Sequence, residues 1–336
     1  MAKAVKMPHT STTTTIGSWE AENVTVAQVE AALSDLRRHE ARAAVRTSVL
    51  TLVAVVDDQR EADAALEVVY DLGGRHPSRT VVLVVGDDPD DGQGIDAAAS
   101  VHAVERQGTA MCYEDVVLRV RGLARYHLDS VVEPFTIPDL PVVVWIPAHL
   151  PAPGDPLLDA ANSLVVDSRA VPAAGDVLRR ISALTRRLPV NDLSWIRLAP
   201  WRSQLAGLFE GSVNRPFLEG VREVEVAGNH GPRHLLAGWV MRRLRLPPEA
   251  FTLEPAEHVS IRLIATSEGR TGRFSVGRAG PERVIESCID IEDGPSVQQT
   301  MRIRRQWPGL SLASALTRMS GDDTYRVALD GALELS

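Results

Sequence analysis

A glycine-containing segment is the first candidate for chemistry, because its spacing matches a dinucleotide-binding turn. Gly92, Gly94 and Ala97 satisfy the pattern G-x-G-x-x-A, which binds a pyrophosphate only where it forms the turn from a strand into a helix. In this chain the glycines share an acidic loop with four aspartates between residues 87 and 91. Those carboxylates would repel a pyrophosphate, so we predict no dinucleotide site and no cofactor.

His230 and His234 are spaced as two metal ligands on one helix face would be. A zinc site needs three or four converging ligands. Pro232 separates the two histidines, and no carboxylate adjoins them. We therefore expect both histidines at the start of a helix and predict no metal site.

Cys112 and Cys288 are the only cysteines among 336 residues. This number excludes a disulfide framework and fits a reducing cytoplasm. Buried or half-buried thiols are the commonest form of free cysteine. The alternative is a redox-sensitive pair or a single sensor thiol, although no basic cluster or Cys-x-x-Cys spacing nearby favours a lowered pKa.

Arginines cluster in a predicted helix over residues 173–188 and at the end of the last predicted strand. The helix carries Arg179, Arg180, Arg186 and Arg187, and the strand end carries Arg302, Arg304 and Arg305. Each cluster either faces water or binds a phosphate or an acidic partner.

Trp195, Trp201 and Arg202 form a second group of interest, since tryptophan and arginine are enriched at interface hot spots. The tryptophans are six residues apart and do not share one helix face, so one can be core while the other is not. A proline-rich segment after Trp145 adds a predicted exposed rim. The candidate partner-binding residues are Pro147, His149, Trp195, Arg197, Trp201 and Arg202.

Motifs of common enzymes are missing from the chain. It contains no G-x-S-x-G elbow, Walker loop, H-E-x-x-H or S-x-x-K. The composition, 44% hydrophobic and 24% charged, is that of a soluble globular protein. A net charge of −8 argues against nucleic acid as a partner. No signal peptide or membrane-spanning run is visible, so we expect a non-catalytic cytoplasmic binding protein that does not contact a membrane.

Hydrophobic patterning divides the chain into three predicted parts. Residues 1–18 are too polar to order and form a tail. Residues 19–210 contain continuous apolar strands, such as 49–56 and 80–85, alternating with helices, which predicts an α/β domain with a mainly parallel sheet. Residues 211–336 contain strands that alternate between apolar and polar residues, which predicts an α+β domain with an antiparallel sheet.

Six motifs in a fixed order resemble the glucose-6-phosphate dehydrogenase assembly protein family, OpcA. They are His76–Arg79 (HPSR), Val131–Trp145 (VVEPFTIPDLPVVVW), Val165–Ser168 (VVDS), Asp192–Trp195 (DLSW), Trp201–Arg202 and Leu236–Trp239 (LAGW). The match extends over about residues 25–245. Ile146 stands where many members have a second tryptophan.

The resemblance implies a cytoplasmic, non-catalytic factor that binds glucose-6-phosphate dehydrogenase and promotes its assembly and activation. Such a factor would support NADPH production in the oxidative pentose phosphate pathway. It would act by binding the active oligomer more tightly than the inactive form.

Two alternatives stay open from the sequence. One is a sugar-phosphate or nucleotide-binding enzyme or sensor that uses the α/β domain, with Ser78-Arg79 and Asp167-Ser168 as its expected contacts. The other is a scaffold that binds the dehydrogenase without changing its activity. Val142–Trp145 itself is predicted to be a buried strand, flanked by exposed segments at Pro138-Asp139 and Pro147–Pro153.

Overall fold

A computed structural model of the chain describes residues 13–39, 48–72, 76–86, 92–106, 109–171, 176–279, 284–294, 296–303 and 308–336. It consists of two compact units. The first comprises Met1–Ile146, Gly154–Leu164 and Pro308–Leu316, and the second comprises Pro147–Pro153, Val165–Trp307 and Thr317–Ser336. The predicted boundary near residue 210 falls inside the second unit, in which Asp192 bonds to Tyr325.

The secondary structure alternates between strands and helices along most of the chain. The strands are β1 Thr13–Ala21, β2 Leu50–Val56, β3 Ser78–Val84, β4 Gly94–Arg106, β5 Thr109–Arg121, β6 Val142–Ile146, β7 Ser163–Val166, β8 Val190–Asp192, β9 Val221–Gly228, β10 Phe251–Pro255, β11 Ser260–Ser267, β12 Arg270–Ala279, β13 Val284–Ile291 and β14 Ser296–Arg302. The α-helices are α1 Val26–His39, α2 Gln59–Asp71, α3 Leu128–Val132, α4 Val177–Leu184, α5 Leu193–Arg197, α6 Ala199–Gly207, α7 His230–Leu244, α8 Pro308–Leu316 and α9 Asp323–Glu334.

Six strands of the first unit follow the order β1-β4-β5-β3-β2-β6. β2 pairs in parallel with β3 and β6, and β3 pairs in parallel with β5. β4 is antiparallel to both β1 and β5. Five of these six strands therefore run in one direction, which confirms the mainly parallel sheet. β2, β3 and β6 are buried along their whole length, as continuous apolar runs predict.

The connection from β2 to β3 forms as its sequence signals predict. The Asp58 side chain accepts a hydrogen bond from Glu61 N at 2.8 Å and so caps α2. Strand, helix and parallel strand make the predicted βαβ unit. Gly73 and Gly74, predicted to end the helix, lie outside the described residues.

β1 corrects the predicted N-terminal tail. Residues 1–12 lie outside the described residues, whereas residues 13–18 belong to β1 and pair with β4. The Thr15 hydroxyl also lies 3.1 Å from His102 Nδ1. Pairing with a strand some eighty residues away orders a segment whose own composition predicts disorder.

The sheet of the second unit is mixed, which corrects the prediction of a purely antiparallel sheet. Its order is β10-β9-β11-β12-β13-β14. β9, β11, β12, β13 and β14 pair antiparallel as predicted, but β10 is parallel to β9. The reason is α7, which returns the chain to the strand's starting edge and so makes a second βαβ unit.

The backbones of α7 and α9 lie close together at Gly238, which explains why the LAGW motif has a glycine at this position. A Cβ on Gly238 would lie 2.3 Å from Ala328 O, and one on Gly331 would lie 2.5 Å from Gly238 O. These distances are shorter than van der Waals contact, so only glycine allows the two helices to approach this closely. The contact fixes α9 beside the residues described next.

Candidate functional site

Two of the six motifs, VVDS and DLSW, meet at one buried carboxylate in the second unit. Asp192 ends β8, and its Oδ1 accepts hydrogen bonds from Ser168 N at 3.1 Å and from Ser194 N at 2.8 Å. The second bond caps α5, as the sequence predicted for Asp192. The two motifs therefore form a single structural element.

A second carboxylate, Asp167, extends this network toward the surface. Its Oδ1 accepts hydrogen bonds from the Ser194 hydroxyl and from Arg197 Nη2, each at 2.6 Å. Arg169 N also donates to it at 3.2 Å. Charge-assisted bonds of this kind hold the Arg197 guanidinium in a defined position.

Burial changes the proton affinity of the deeper carboxylate. Burial first, and then the charge of Asp167, raise the pKa of Asp192 to about 6, against the opposing effect of its hydrogen bonds with Ser168 and Ser194. The Tyr325 hydroxyl donates to Asp192 Oδ2 at 3.3 Å. Burial and the nearby Asp192 raise the pKa of Tyr325 well above its usual value, so this phenol stays protonated.

Trp195 belongs to the core of the second unit. Its side chain is 2% exposed, and its Nε1 donates to Asp322 Oδ2 at 2.9 Å. Arg202 covers the ring and donates to the Trp195 carbonyl oxygen at 3.1 Å. The sequence allows this tryptophan to be either a core residue or an interface residue, and in the structure it is a core residue. Trp195 can therefore affect a partner only by positioning other residues, whereas Arg202 is half-buried.

Trp201 faces a different environment, as the six-residue spacing predicted. The sequence pattern of residues 192–210 predicts one helix, whereas the structure has two, α5 and α6. Trp201 is half-buried, and its Nε1 donates to Val259 O at 3.0 Å. It lines a cleft of about 270 Å³.

The cleft in the second unit combines basic, polar and apolar side chains. It is lined by Arg169, Ser194, Arg197, Leu198, Trp201, Asn229, Pro232, Glu257, His258, Val259, Arg278 and Ile303. Arg197 and Trp201 are thus the two predicted site residues that the fold brings together at a concave surface. Arg169, Arg278 and His258 were not singled out from the sequence, since they lie far apart in it and carry no local motif.

Pro147 and His149 are half-buried residues of the segment after β6. Two arginines of the predicted basic group hold this segment: Arg180 donates to Leu150 O at 3.2 Å, and Arg187 donates to Pro153 O. Arg179 and Arg186 are exposed, in agreement with the alternative in which these arginines face water. Arg304 and Arg305 lie outside the described residues.

Cys112 and Cys288 are not joined in a disulfide. Cys112 is buried in β5. Cys288 is half-buried in β13, where burial and the neighbouring Glu286 raise its pKa. A raised pKa leaves less thiolate at neutral pH, so the environment of Cys288 disfavours a sensor role.

His230 and His234 stack at the start of α7 with ring centroids 4.1 Å apart. His234 Nδ1 donates to His230 O at 2.7 Å, and burial lowers the pKa of His234 to about 4. Neutral imidazole is a metal ligand, but within the described part of the chain no three His, Cys, Asp or Glu residues come together as a metal site.

Arg79, one of the phosphate contacts proposed for the α/β domain, is bonded within the protein itself. Arg79 is buried, donating to Glu114 at 3.0 Å and to Phe135 O at 3.0 Å. Arg37 makes two further bonds of 2.7 Å to the same carboxylate. Gly94 begins strand β4 rather than a helix, so the G-x-G segment does not form a dinucleotide turn.

Residues 122–126 form an exposed turn, although the sequence pattern of residues 123–132 by itself predicts a continuous helix. Gly122–Tyr126 is instead a 3₁₀ turn, and Leu123 and Tyr126 are 66% and 59% exposed. Residues three apart share one face of a 3₁₀ helix. The Arg125 guanidinium lies 5.0 Å from the Tyr126 ring centroid. The sequence feature that could have indicated an exposed turn is Leu-x-Arg-Tyr directly after a strand.

Family models match both parts of the chain. Residues 69–183 match the glucose-6-phosphate dehydrogenase subunit N-terminal domain, and residues 188–329 match the corresponding C-terminal domain. The chain therefore belongs to the OpcA family of glucose-6-phosphate dehydrogenase subunits, which confirms the resemblance seen in its motifs.

Curated relatives give the same assignment. The chain is 27% identical over 194 residues to a putative OxPP cycle protein OpcA of Synechocystis sp., covering 55% of this chain and 40% of the relative. A protein of the same description from Nostoc punctiforme is 26% identical over 197 residues, covering 55% and 41%. The matched region thus spans about two fifths of the length of these relatives.

Solved structures are only distantly similar. The WlbA dehydrogenase of Chromobacterium violaceum has a TM-score of 0.31 at 11% identity, covering 86% of this chain and 92% of that one. The scyllo-inositol dehydrogenase of Lactobacillus casei has a TM-score of 0.35 at 10% identity, covering 86% and 96%. We base no inference on similarity at this level. Within the described residues, no helix has the length and apolarity needed to cross a membrane.

Proposed function

We propose that this chain is a non-catalytic assembly factor and allosteric activator that binds glucose-6-phosphate dehydrogenase. It favours the active oligomer of that enzyme and so supports NADPH production in the oxidative pentose phosphate pathway of the cytoplasm. The observation that carries the proposal is family membership through both matched domains.

The mechanism is a population shift. A factor that binds the active oligomer more tightly than the inactive form moves the enzyme toward the active form. The shift is limited by the ratio of the two affinities, and a hundredfold ratio corresponds to about 2.7 kcal/mol. Neither nucleic acid nor a membrane has a part in this mechanism.

The exposed turn Gly122–Tyr126 is our proposed principal contact with the dehydrogenase. Tyrosine and arginine are enriched at hot spots, and a hot spot needs a large side chain that the partner can bury. Leu123 and Tyr126 supply such side chains. The other proposed contacts are partly exposed residues: Pro147, His149, Arg197, Trp201 and Arg202.

The direct test is mass photometry of the dehydrogenase with and without this protein, combined with an activity titration at fixed enzyme concentration. We expect larger oligomers and higher activity, saturating at a fixed stoichiometry. Unchanged oligomer size and unchanged kinetics at stoichiometric excess would refute the proposal. Binding without a change in kinetics would favour the scaffold alternative.

The contact is tested with the double variant Leu123→Ala, Tyr126→Ala. Loss of two hot-spot side chains of at least about 2 kcal/mol each would weaken binding by roughly three orders of magnitude. The matched control is Val213→Ala, which truncates another apolar residue that is 60% exposed. Equal affinity of the double variant and the control would exclude this turn as the contact.

A further inference from the structure

We propose that the cleft of the second unit is a binding site for a small phosphate monoester. This inference is independent of the proposed function, since it concerns the isolated chain. It is based on the arginines that line the cleft, on its apolar wall and on the fixed positions of Arg197 and Trp201.

Unpaired positive charge is the first argument. Arg169 and Arg278 line the cleft, and neither forms an ion pair with a carboxylate anywhere in the part of the chain that the structure describes. Arg278 Nη1 instead lies 3.4 Å from His258 Nδ1. Guanidinium groups bind phosphate through paired, charge-assisted hydrogen bonds, so an anion in the cleft would supply the missing partner.

Few negatively charged groups in the cleft offset the charge of these arginines. Asp167 is already bonded to Arg197 and Ser194. Glu257 lines the cleft, but its side chain is 85% exposed and lies 3.8 Å from His258. Two unpaired guanidinium groups therefore face one solvated carboxylate, which leaves the cleft with a net positive charge.

Size and wall chemistry define the organic part of the ligand. At about 270 Å³ the cleft is slightly smaller than ordinary ligand sites, which have volumes of about 300–1,000 Å³. Leu198, Pro232 and Val259 line it together with the Trp201 indole. An apolar wall beside a few polar groups is typical of small-molecule sites. The arrangement fits a phosphate attached to a compact organic group.

Two of the side chains that line the cleft, Trp201 and Arg197, are held in place before any ligand binds. The bond from Trp201 Nε1 to Val259 O fixes the indole. The bonds from Arg197 to Asp167 and to the Ser194 hydroxyl fix that guanidinium. Preorganised side chains lose little entropy when a ligand binds.

The test is isothermal titration calorimetry of the isolated chain at low ionic strength, with inorganic phosphate and glucose 6-phosphate as probes. We expect saturable 1:1 binding, tighter for the monoester because of its organic part. The double variant Arg169→Gln, Arg278→Gln should bind at least tenfold more weakly, because it removes both guanidinium charges that would pair with the phosphate. An unchanged melting temperature without ligand shows that the variant is folded.

The matched control is Arg262→Gln in the same unit, where the exposed Arg262 pairs with Glu225 at 2.7 Å. This variant should bind both probes like the wild type. Binding by the wild type no stronger than that of chloride at equal ionic strength would overturn the proposal. So would equal affinity in the double variant and the control. No dehydrogenase is present, so failure here leaves the proposed function unaffected.

Discussion

The guanidinium of Arg202 lies 3.3 Å from the centroid of the Trp195 ring. The same guanidinium donates to the Trp195 carbonyl oxygen, so one side chain contacts both the ring and the backbone of the other. The DLSW and Trp-Arg motifs are thus joined by direct contact. This pair fixes α6 against α5 and thereby sets the position of Trp201.

Removal of the Arg202 guanidinium should destabilise the second unit. Arg202→Ala loses a partly buried cation–π contact and a hydrogen bond, together worth about 2–4 kcal/mol. Arg202→Lys should recover only part of this, because an ammonium cannot stack flat on the indole. Urea denaturation measures both effects. The control is Arg179→Ala, which removes an exposed arginine and should change stability by less than about 0.5 kcal/mol.

Asp192 should make stability depend on pH in a direction opposite to that of most carboxylates. Its pKa rises from 3.8 to about 6 on folding. Its contribution to the free energy of unfolding is therefore complete below pH 4 and is lost as the pH rises through 6. The loss is about 3 kcal/mol. In Asp192→Asn, an amide oxygen can still accept from Ser168 N and Ser194 N, and this loss should disappear. Unfolding free energies of both proteins between pH 4 and 7.5 provide the measurement; parallel curves would contradict the assignment.

Glu114 should be essential to the first unit, because it is the carboxylate between Arg37 and Arg79. Glu114→Gln keeps the shape but removes the carboxylate charge beside two guanidinium groups, one buried and one half-buried, at a cost of about 3–5 kcal/mol. The matched control is Glu225→Gln, whose exposed pair with Arg262 contributes at most about 1 kcal/mol. Similar chemical denaturation midpoints for the two variants would show that the buried cluster is not stabilising.

Gly238→Ala should separate α7 from α9. The new methyl group would meet backbone atoms of α9 at 2.3 Å, and backbone cannot rotate away as a flexible side chain can. We expect a loss of about 1–3 kcal/mol or more from overpacking. Gly207→Ala is the control: nothing lies within 4 Å of its Cβ position, and alanine is the better helix former. A melting temperature of Gly238→Ala at or above that of Gly207→Ala would contradict the close contact.

Both cysteines should react slowly with iodoacetamide at neutral pH. Cys112 is buried, and the raised pKa of Cys288 reduces its thiolate fraction. Mass spectrometry of the intact protein over time, with free cysteine as the reference, measures the rates. Rapid labelling of Cys288 would restore the redox-sensor alternative, which Cys288→Ser would then test directly.

Local patterns in the sequence determined much of the fold. The apolar runs of β2 and β3, the aspartate caps of α2 and α5, and the alternation of β9 and β11 depend on neighbours within a few residues, where backbone preference and burial periodicity act together. The six ordered motifs were enough to indicate the family. None of these features requires knowledge of distant contacts.

Only the tertiary structure decided which motif residues face solvent. Trp195 is buried and donates a hydrogen bond to Asp322. Trp201 donates to the Val259 carbonyl oxygen and stays half-buried at a cleft. Three further features depend on residues far apart in the chain. They are the pairing of β1 with β4, the parallel direction of β10, and the presence of Arg169 and Arg278 at one cleft. Such contacts form only when folding offsets the entropy of closing long loops, and no local pattern encodes which distant groups will meet.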